Sequence, residues 1–158
     1  MAPGIAPVAV DAMGGDDAPA AVVQGAIDAA RKGQAVVLVG HEPRIRAELE
    51  RRRASWSLPI QVRHASEAVG MGEHPGQAMR RKRDNSIRVC FELVRSGEAG
   101  AMVSAGHSGA VMAGAILVLG RAGEVERPAI LSVLPAAKGS PVMLDVGANV
   151  DCRPVHLV

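Results

Sequence analysis

Short apolar runs alternate along this chain with segments whose apolar residues recur every three or four positions, and that alternation constrains the fold most. Ile5 to Ala12, Ala35 to Val39, Pro59 to His64 and Ala101 to Ser104 read as strands. Between them, Val22, Val23, Ala26, Ile27 and Ala30 run at helical spacing behind Pro19 and stop at Gly33. Pro43 opens a second, charged helix that runs to Arg53. Ile87, Cys90, Phe91 and Val94 line one face of a third, closed by Gly97. Ala65 to Pro75 reads as loop, leading into the basic block Arg80 to Arg83. Ala129 to Leu134 and Val142 to Val146 add two strands around the turn-rich AAKGSP. Strands separated by helices imply an α/β fold: a mostly parallel sheet with helices on both faces, an α/β/α sandwich. Strands that are apolar throughout fit a sheet covered on both sides.

Composition narrows the function classes. The 158 residues predict a single α/β domain, residues 1–158. Its core must be aliphatic, because 48% of residues are hydrophobic while the chain holds one Trp, one Phe and no Tyr. A net charge of +2 and the scarcity of aromatic rings argue against nucleic acid as a partner. The two cysteines, Cys90 and Cys152, form no CxxC pair, which argues against a zinc site and for a reduced, cytoplasmic setting. The N-terminus lacks the basic region of a signal peptide. The longest apolar run, Ala110 to Gly120, is shorter than the roughly 18–20 residues that cross a bilayer. No helix closes the fold after CRPVHLV, so the chain reads as part of a longer one.

Three loops follow strand candidates and share one character: DAMGGDD, SAGHSGA and DVGANVD. In each, glycine stands beside short polar side chains. In an open α/β sheet ligands gather beyond the carboxyl ends of the strands. Glycine lets the main chain approach a ligand, and amides in the first turn of a helix attract an anion. The candidate phosphate-binding residues are therefore Gly14, Gly15, Asp16, Ser104, Gly106, Ser108, Gly109, Asp145 and Gly147. The apolar stretch from Ser108 to Leu119 reads as a buried helix anchoring the second loop. The alternative is that Gly106 and Gly109 serve only a tight turn and close packing. Neither GxxxxGK[ST] nor GxGxxG occurs, so no known nucleotide motif decides between them.

Five blocks in order carry a resemblance: VDAMGGDDAP, HASEAVGMGEHPGQAMRRKRDNS, VSAGHSGAVMAGA, RPAILSVLP and LDVGANVDC. Together they resemble the bacterial phosphate acyltransferases of phospholipid synthesis. The resemblance implies a fatty acyl group moved from acyl carrier protein to inorganic phosphate, giving acyl phosphate without metal or cofactor. It also implies a cytoplasmic homodimer of the isocitrate/isopropylmalate dehydrogenase-like fold, peripheral to the inner face of the membrane. Family members run on past LDVGANVDC, so this chain corresponds to their N-terminal part, with its own activity open. The family's usual loop is SAGNTGA, so His107 stands in place of Asn and Ser108 in place of Thr. On this reading His107 and Asn149 are the catalytic candidates: His107 to donate to phosphate or to the leaving thiol, Asn149 to orient phosphate. Arg80, Arg81, Lys82 and Arg83 are the candidate docking patch for the acidic carrier. The rival readings are a related phosphotransacetylase-type enzyme and a non-catalytic module that binds an anion or the carrier.

Overall fold

The computed structural model describes residues 6–123, 125 and 128–145, in two compact units whose boundary in the sequence falls between Leu119 and Gly120. The first unit runs β1 (Val8–Asp11), α1 (Ala20–Arg31), β2 (Val36–Gly40), α2 (Glu42–Arg51), β3 (Ile60–His64), α3 (Pro75–Arg81), α4 (Ser86–Ser96), β4 (Ala101–Val103) and α5 (Ser108–Gly114). A π-helical turn, Ala115–Leu119, extends α5. The four strands form one parallel sheet in the order β3-β2-β1-β4, with Val8 opposite both Val36 and Ala101. This is the α/β architecture that the alternation predicts.

Side-chain alternation along the strands decides which helix covers which face. Val10, Val36 and Leu38 pack with Val23, Ile27 and Ile45 of α1 and α2. Ala9, Val37 and Val39 pack on the other side with Cys90 and Leu93 of α4. The crossovers explain the sides. From β1 to β2 to β3 the chain steps one way across the sheet, so right-handed connections put α1 and α2 on the same face. It then steps back past β1 to reach β4, which puts α4 on the opposite face. β2 is buried at every residue, as its uninterrupted VVLVG requires.

Local signals set the helix ends. Gly97 closes α4 at φ 80. At the other end Asn85, fully buried, accepts from the Arg88 amide at 2.9 Å and donates to the Lys82 carbonyl. Asn85→Ala removes this cap, and a fall of about 1–2 kcal/mol in unfolding free energy is expected. A thermal or urea melt against the unsubstituted chain measures it.

The structure departs from the sequence reading in three places. Residues 75–81 form α3, a short helix with Ala78 and Met79 buried; it begins at Pro75, the last residue of the segment read as loop, and continues through residues to which the sequence reading gave no element. The stretch from Ser108 is not buried all round. Ala110, Gly114 and Val118 form its inner stripe, while Ile116, Leu117 and Leu119 are exposed. Gly114 lies under the chain's one phenylalanine: an added Cβ would stand 2.8 Å from a ring carbon of Phe91. The third departure is in the second unit, where β5 (Leu131–Val133) and β6 (Val142–Leu144) pair antiparallel in a sheet of their own. The short connection over AAKGSP accounts for this, since parallel neighbours need a long crossover and antiparallel ones do not. The outer parts of the strands expected at Ile5–Ala12 and Val142–Val146 lie partly outside the described residues.

Candidate functional site

The chain reverses its direction across the sheet between β1 and β4, and the loops that leave these two strands come together there. Such a switch point is where an open α/β sheet forms a crevice. Asp11, the last residue of β1, is 1% exposed. One of its carboxylate oxygens accepts from the Ser104 hydroxyl at 2.7 Å, and the other accepts from the Met13 amide at 3.1 Å. The Ser104 oxygen in turn accepts from the Gly106 amide at 3.0 Å. One buried carboxylate therefore ties the loop after β1 to the loop after β4.

The glycines make this contact possible. A Cβ on Gly14 would lie 2.6 Å from an Asp11 carboxylate oxygen and 2.7 Å from the Gly106 nitrogen. A Cβ on Gly106 would lie 3.1 Å from the Gly14 Cα and 3.2 Å from the Ser104 hydroxyl oxygen. Gly14, Ser104 and Gly106 thus form the floor, their polar groups engaged with one another and with Asp11. The rim is different: Gly15 (φ +104), Asp16 and Ser108 are exposed. Ser108 and Gly109 stand in the first turn of α5, where a helix leaves amides without intrahelical acceptors.

His107 precedes α5. Its Nδ1 is buried without a hydrogen-bond partner, the sole such side-chain nitrogen or oxygen found among the described residues. Buried polar atoms without a partner are rare enough to need an explanation, and a ligand or water is the usual one. Gly109 lies between the His107 ring and Pro75: an added Cβ would stand 3.1 Å from the one and 3.2 Å from the other. Pro75, the last residue of the segment read as loop, thereby brings the start of α3 to the site.

A cleft of about 190 Å³ opens from the Gly15 side over the ends of β2 and β3, lined by His41, Arg44, Ser66 and Glu67 among others. Arg44 and His41 are contributions that no glycine-rich motif marks. Asp11 was visible in the sequence as a charged residue closing an apolar strand, and that was the signal for the residue around which the floor is built.

The basic block separates into two parts. Arg80, Arg81 and Arg83 are exposed. Lys82 is a staple: its ammonium donates to the Ala68 carbonyl at 2.7 Å and to Glu73 at 2.6 Å. The Lys82 hydrogen bond, helped by the Gly70 amide, holds the Glu73 carboxyl below the usual range. Cys90 is fully buried away from the loops, and burial, with Asp11 adding to it, pushes its thiol far above the ordinary value. Asp145 is in the second unit, at φ 60, its amide donating to the Ile130 carbonyl. Gly147 and Asn149 lie outside the described residues. Among the described residues no group of three or more His, Cys, Asp or Glu is placed to hold a metal, and no helix is long and apolar enough to cross a membrane.

Comparison with known proteins gives consistent matches. A family model described as fatty acid synthesis protein matches residues 6–158. The phosphate acyltransferase of Anaeromyxobacter sp. (strain Fw109-5) is 73% identical over 154 residues, covering 98% of this chain and 43% of that protein. Those of Myxococcus xanthus (strain DK1622) and Geobacter sulfurreducens (strain ATCC 51573 / DSM 12127 / PCA) are 57% and 53% identical over 152 residues. The chain thus spans less than half the length of these relatives.

Proposed function

The chain belongs to the fatty acid synthesis protein family, and on that premise we propose that it forms the N-terminal part of a phosphate acyltransferase. The reaction is transfer of a fatty acyl group from acyl carrier protein to inorganic phosphate. A phosphate oxygen attacks the thioester carbonyl carbon, the carbon–sulfur bond breaks, and acyl phosphate and the carrier thiol leave. The proton on hydrogen phosphate ends on the thiol, so the step balances without metal or cofactor.

The observation that carries this reading is the meeting of the β1 and β4 loops around Asp11, with His107 beside them holding an unpartnered nitrogen. Phosphate sits on the rim, against Gly15 and the first-turn amides at Ser108 and Gly109, where the helix end favours an anion. Gly14, Ser104 and Gly106 shape the floor beneath it. His107 moves the proton from phosphate to the departing sulfur, and the rest of the catalysis is positioning of two anionic reactants. Asp16, Asp145, Gly147 and Asn149 belong to the proposal through the order of the motifs. Arg80, Arg81 and Arg83 offer exposed positive charge to the acidic carrier. The same reading includes a homodimer, a cytoplasmic location and contact with the membrane surface, for which the exposed Ile116, Leu117 and Leu119 supply apolar area.

The test is acyl phosphate formation from acyl carrier protein thioester and phosphate, trapped with hydroxylamine. It is run with this chain and with this chain extended by the remainder of the 73%-identical relative. Product from either supports the reading; His107→Ala should then lower kcat by about a hundredfold or more. Binding of the carrier without product in both proteins would favour the non-catalytic module instead.

A further inference from the structure

The two ring nitrogens of His107 have different surroundings. Nδ1 is enclosed by the protein itself and has no hydrogen-bond partner. Nε2 is therefore the nitrogen left for a phosphate on the rim. To take a proton from phosphate, Nε2 must be bare, so the proton of the neutral ring must sit on Nδ1. An enclosed Nδ1–H needs an acceptor. Pro75 lies across Gly109 from the ring: a Cβ on Gly109 would stand 3.1 Å from the ring and 3.2 Å from Pro75. Glu73 is two residues before that proline. Its carboxylate is fixed at one oxygen only. Oε1 accepts from the Lys82 ammonium at 2.6 Å and from the Gly70 amide at 2.7 Å. Oε2 has no hydrogen-bond partner among the described residues. The Lys82 hydrogen bond does most to keep this carboxyl ionised, and the charge of His107 adds to it, so the two side chains act on each other.

We infer that Glu73 is a positioning residue for His107: its free Oε2 accepts from Nδ1–H and so presents a bare Nε2 to phosphate. The inference rests on the role given to His107 in the proposed activity. Lys82 and Gly70 hold the carboxylate by one oxygen, and a turn about that oxygen brings the other to the ring. An ionised carboxylate only accepts, so it selects the Nδ1–H form of the imidazole. The arrangement is that of a base oriented by a third group. When Nε2 takes the phosphate proton, the ring becomes positive, and the fixed negative charge of Glu73 favours that state. The proton then passes from Nε2 to the departing sulfur, while the proton on Nδ1 stays in place.

Glu73→Gln separates this role from the clamp on the loop. Lys82 and Gly70 both donate, so they keep the amide oxygen of the substituted side chain and leave its NH2 group where Oε2 stood. That group only donates, so Nδ1 must accept and the ring proton moves to Nε2. Long-range 1H–15N correlation spectra of this chain at about pH 8, where an ordinary imidazole is neutral, read the tautomer. His107→Asn identifies the signals by their loss. The Nδ1–H form is expected in the unsubstituted chain and the Nε2–H form in Glu73→Gln. The Nε2–H form in the unsubstituted chain, or one form in both proteins, overturns the inference. In the extended protein of the product assay, Glu73→Gln should lower kcat about tenfold with the phosphate KM unchanged, a part of the roughly 10²–10⁴ that a positioned acid or base supplies. Added to His107→Asn, it should cost nothing further. An equal loss in both backgrounds overturns the inference, because Glu73 then serves the loop alone. If the extended protein makes no product, the acyltransferase reading fails, and the tautomer still decides whether Glu73 orients His107.

Discussion

Gly14→Ala is expected to lower the melting temperature by about 10 °C, the effect of roughly 3 kcal/mol on a unit of this size. The added methyl would stand 2.7 Å from the Gly106 nitrogen and 2.9 Å from its Cα. These are main-chain atoms at the end of β4, and they cannot swing aside as a side chain can. The methyl also meets the Asp11 carboxylate at 2.6 Å, so the clash falls on the group that joins the two loops. A matched control is Gly25→Ala. Position 25 has open space around it and lies inside α1, so alanine there should be neutral or stabilise by about 0.5–1 kcal/mol. Differential scanning calorimetry on both variants separates loop contact from a general effect of losing glycine. If Gly14→Ala melts with the unsubstituted chain, the two loops do not touch as described.

That contact also shows why the site was only half legible in the sequence. Gly14 and Gly106 announce themselves as places where a side chain is not wanted, but glycine has two uses: approach to a ligand and approach to another main chain. Sequence cannot distinguish them; in the structure Gly14 and Gly106 approach each other closely, main chain to main chain. The choice depended on which strands are neighbours. Val8 faces Ala101 across the sheet although 93 positions separate them, and nothing in either segment alone states that pairing. Asp11 was readable as an anomaly, an acid closing an apolar strand, but its partner Ser104 is equally remote. Arg44 and His41 reach the cleft only because α2 starts at the end of β2, a placement no motif records.

The fold was more legible because its signals are local. Gly97 stops α4, and the periodic Ile87, Cys90 and Phe91 face inward as their spacing demands. The exceptions have physical causes of the same kind. α3 has only seven residues, too few to establish a period, and its basic end hides the buried Ala78 and Met79. The stretch from Ser108 is apolar on every side, so its composition gives no face to prefer. Packing against Phe91 and Met79 chose the stripe of Ala110, Gly114 and Val118, and left Leu117 and Leu119 exposed.

Asp11 decides whether the floor acts by charge or by position, and two substitutions pull those roles apart. Asp11→Ala leaves the Ser104 hydroxyl and the Met13 amide without their acceptor in a buried place. A loss of about 3 kcal/mol is expected, since hydrogen bonds to a charged group contribute about 1.5–3 kcal/mol and unmet donors add to the cost. Asp11→Asn keeps the shape and one acceptor, and its amide can donate to the Ser104 oxygen; a loss near 1 kcal/mol is expected. Their effects on phosphate should then diverge in sign. The negative charge of Asp11 opposes a phosphate on the rim above it, so a neutral isostere should bind phosphate as tightly or more tightly. The alanine variant should bind it at least about tenfold more weakly, because the β1 and β4 loops lose the tie that sets their spacing. Calorimetric titration of inorganic phosphate into both variants reads the difference. Weaker binding in Asp11→Asn by the same factor as in Asp11→Ala would assign the role of Asp11 to its charge, and the positional account of the floor would fail.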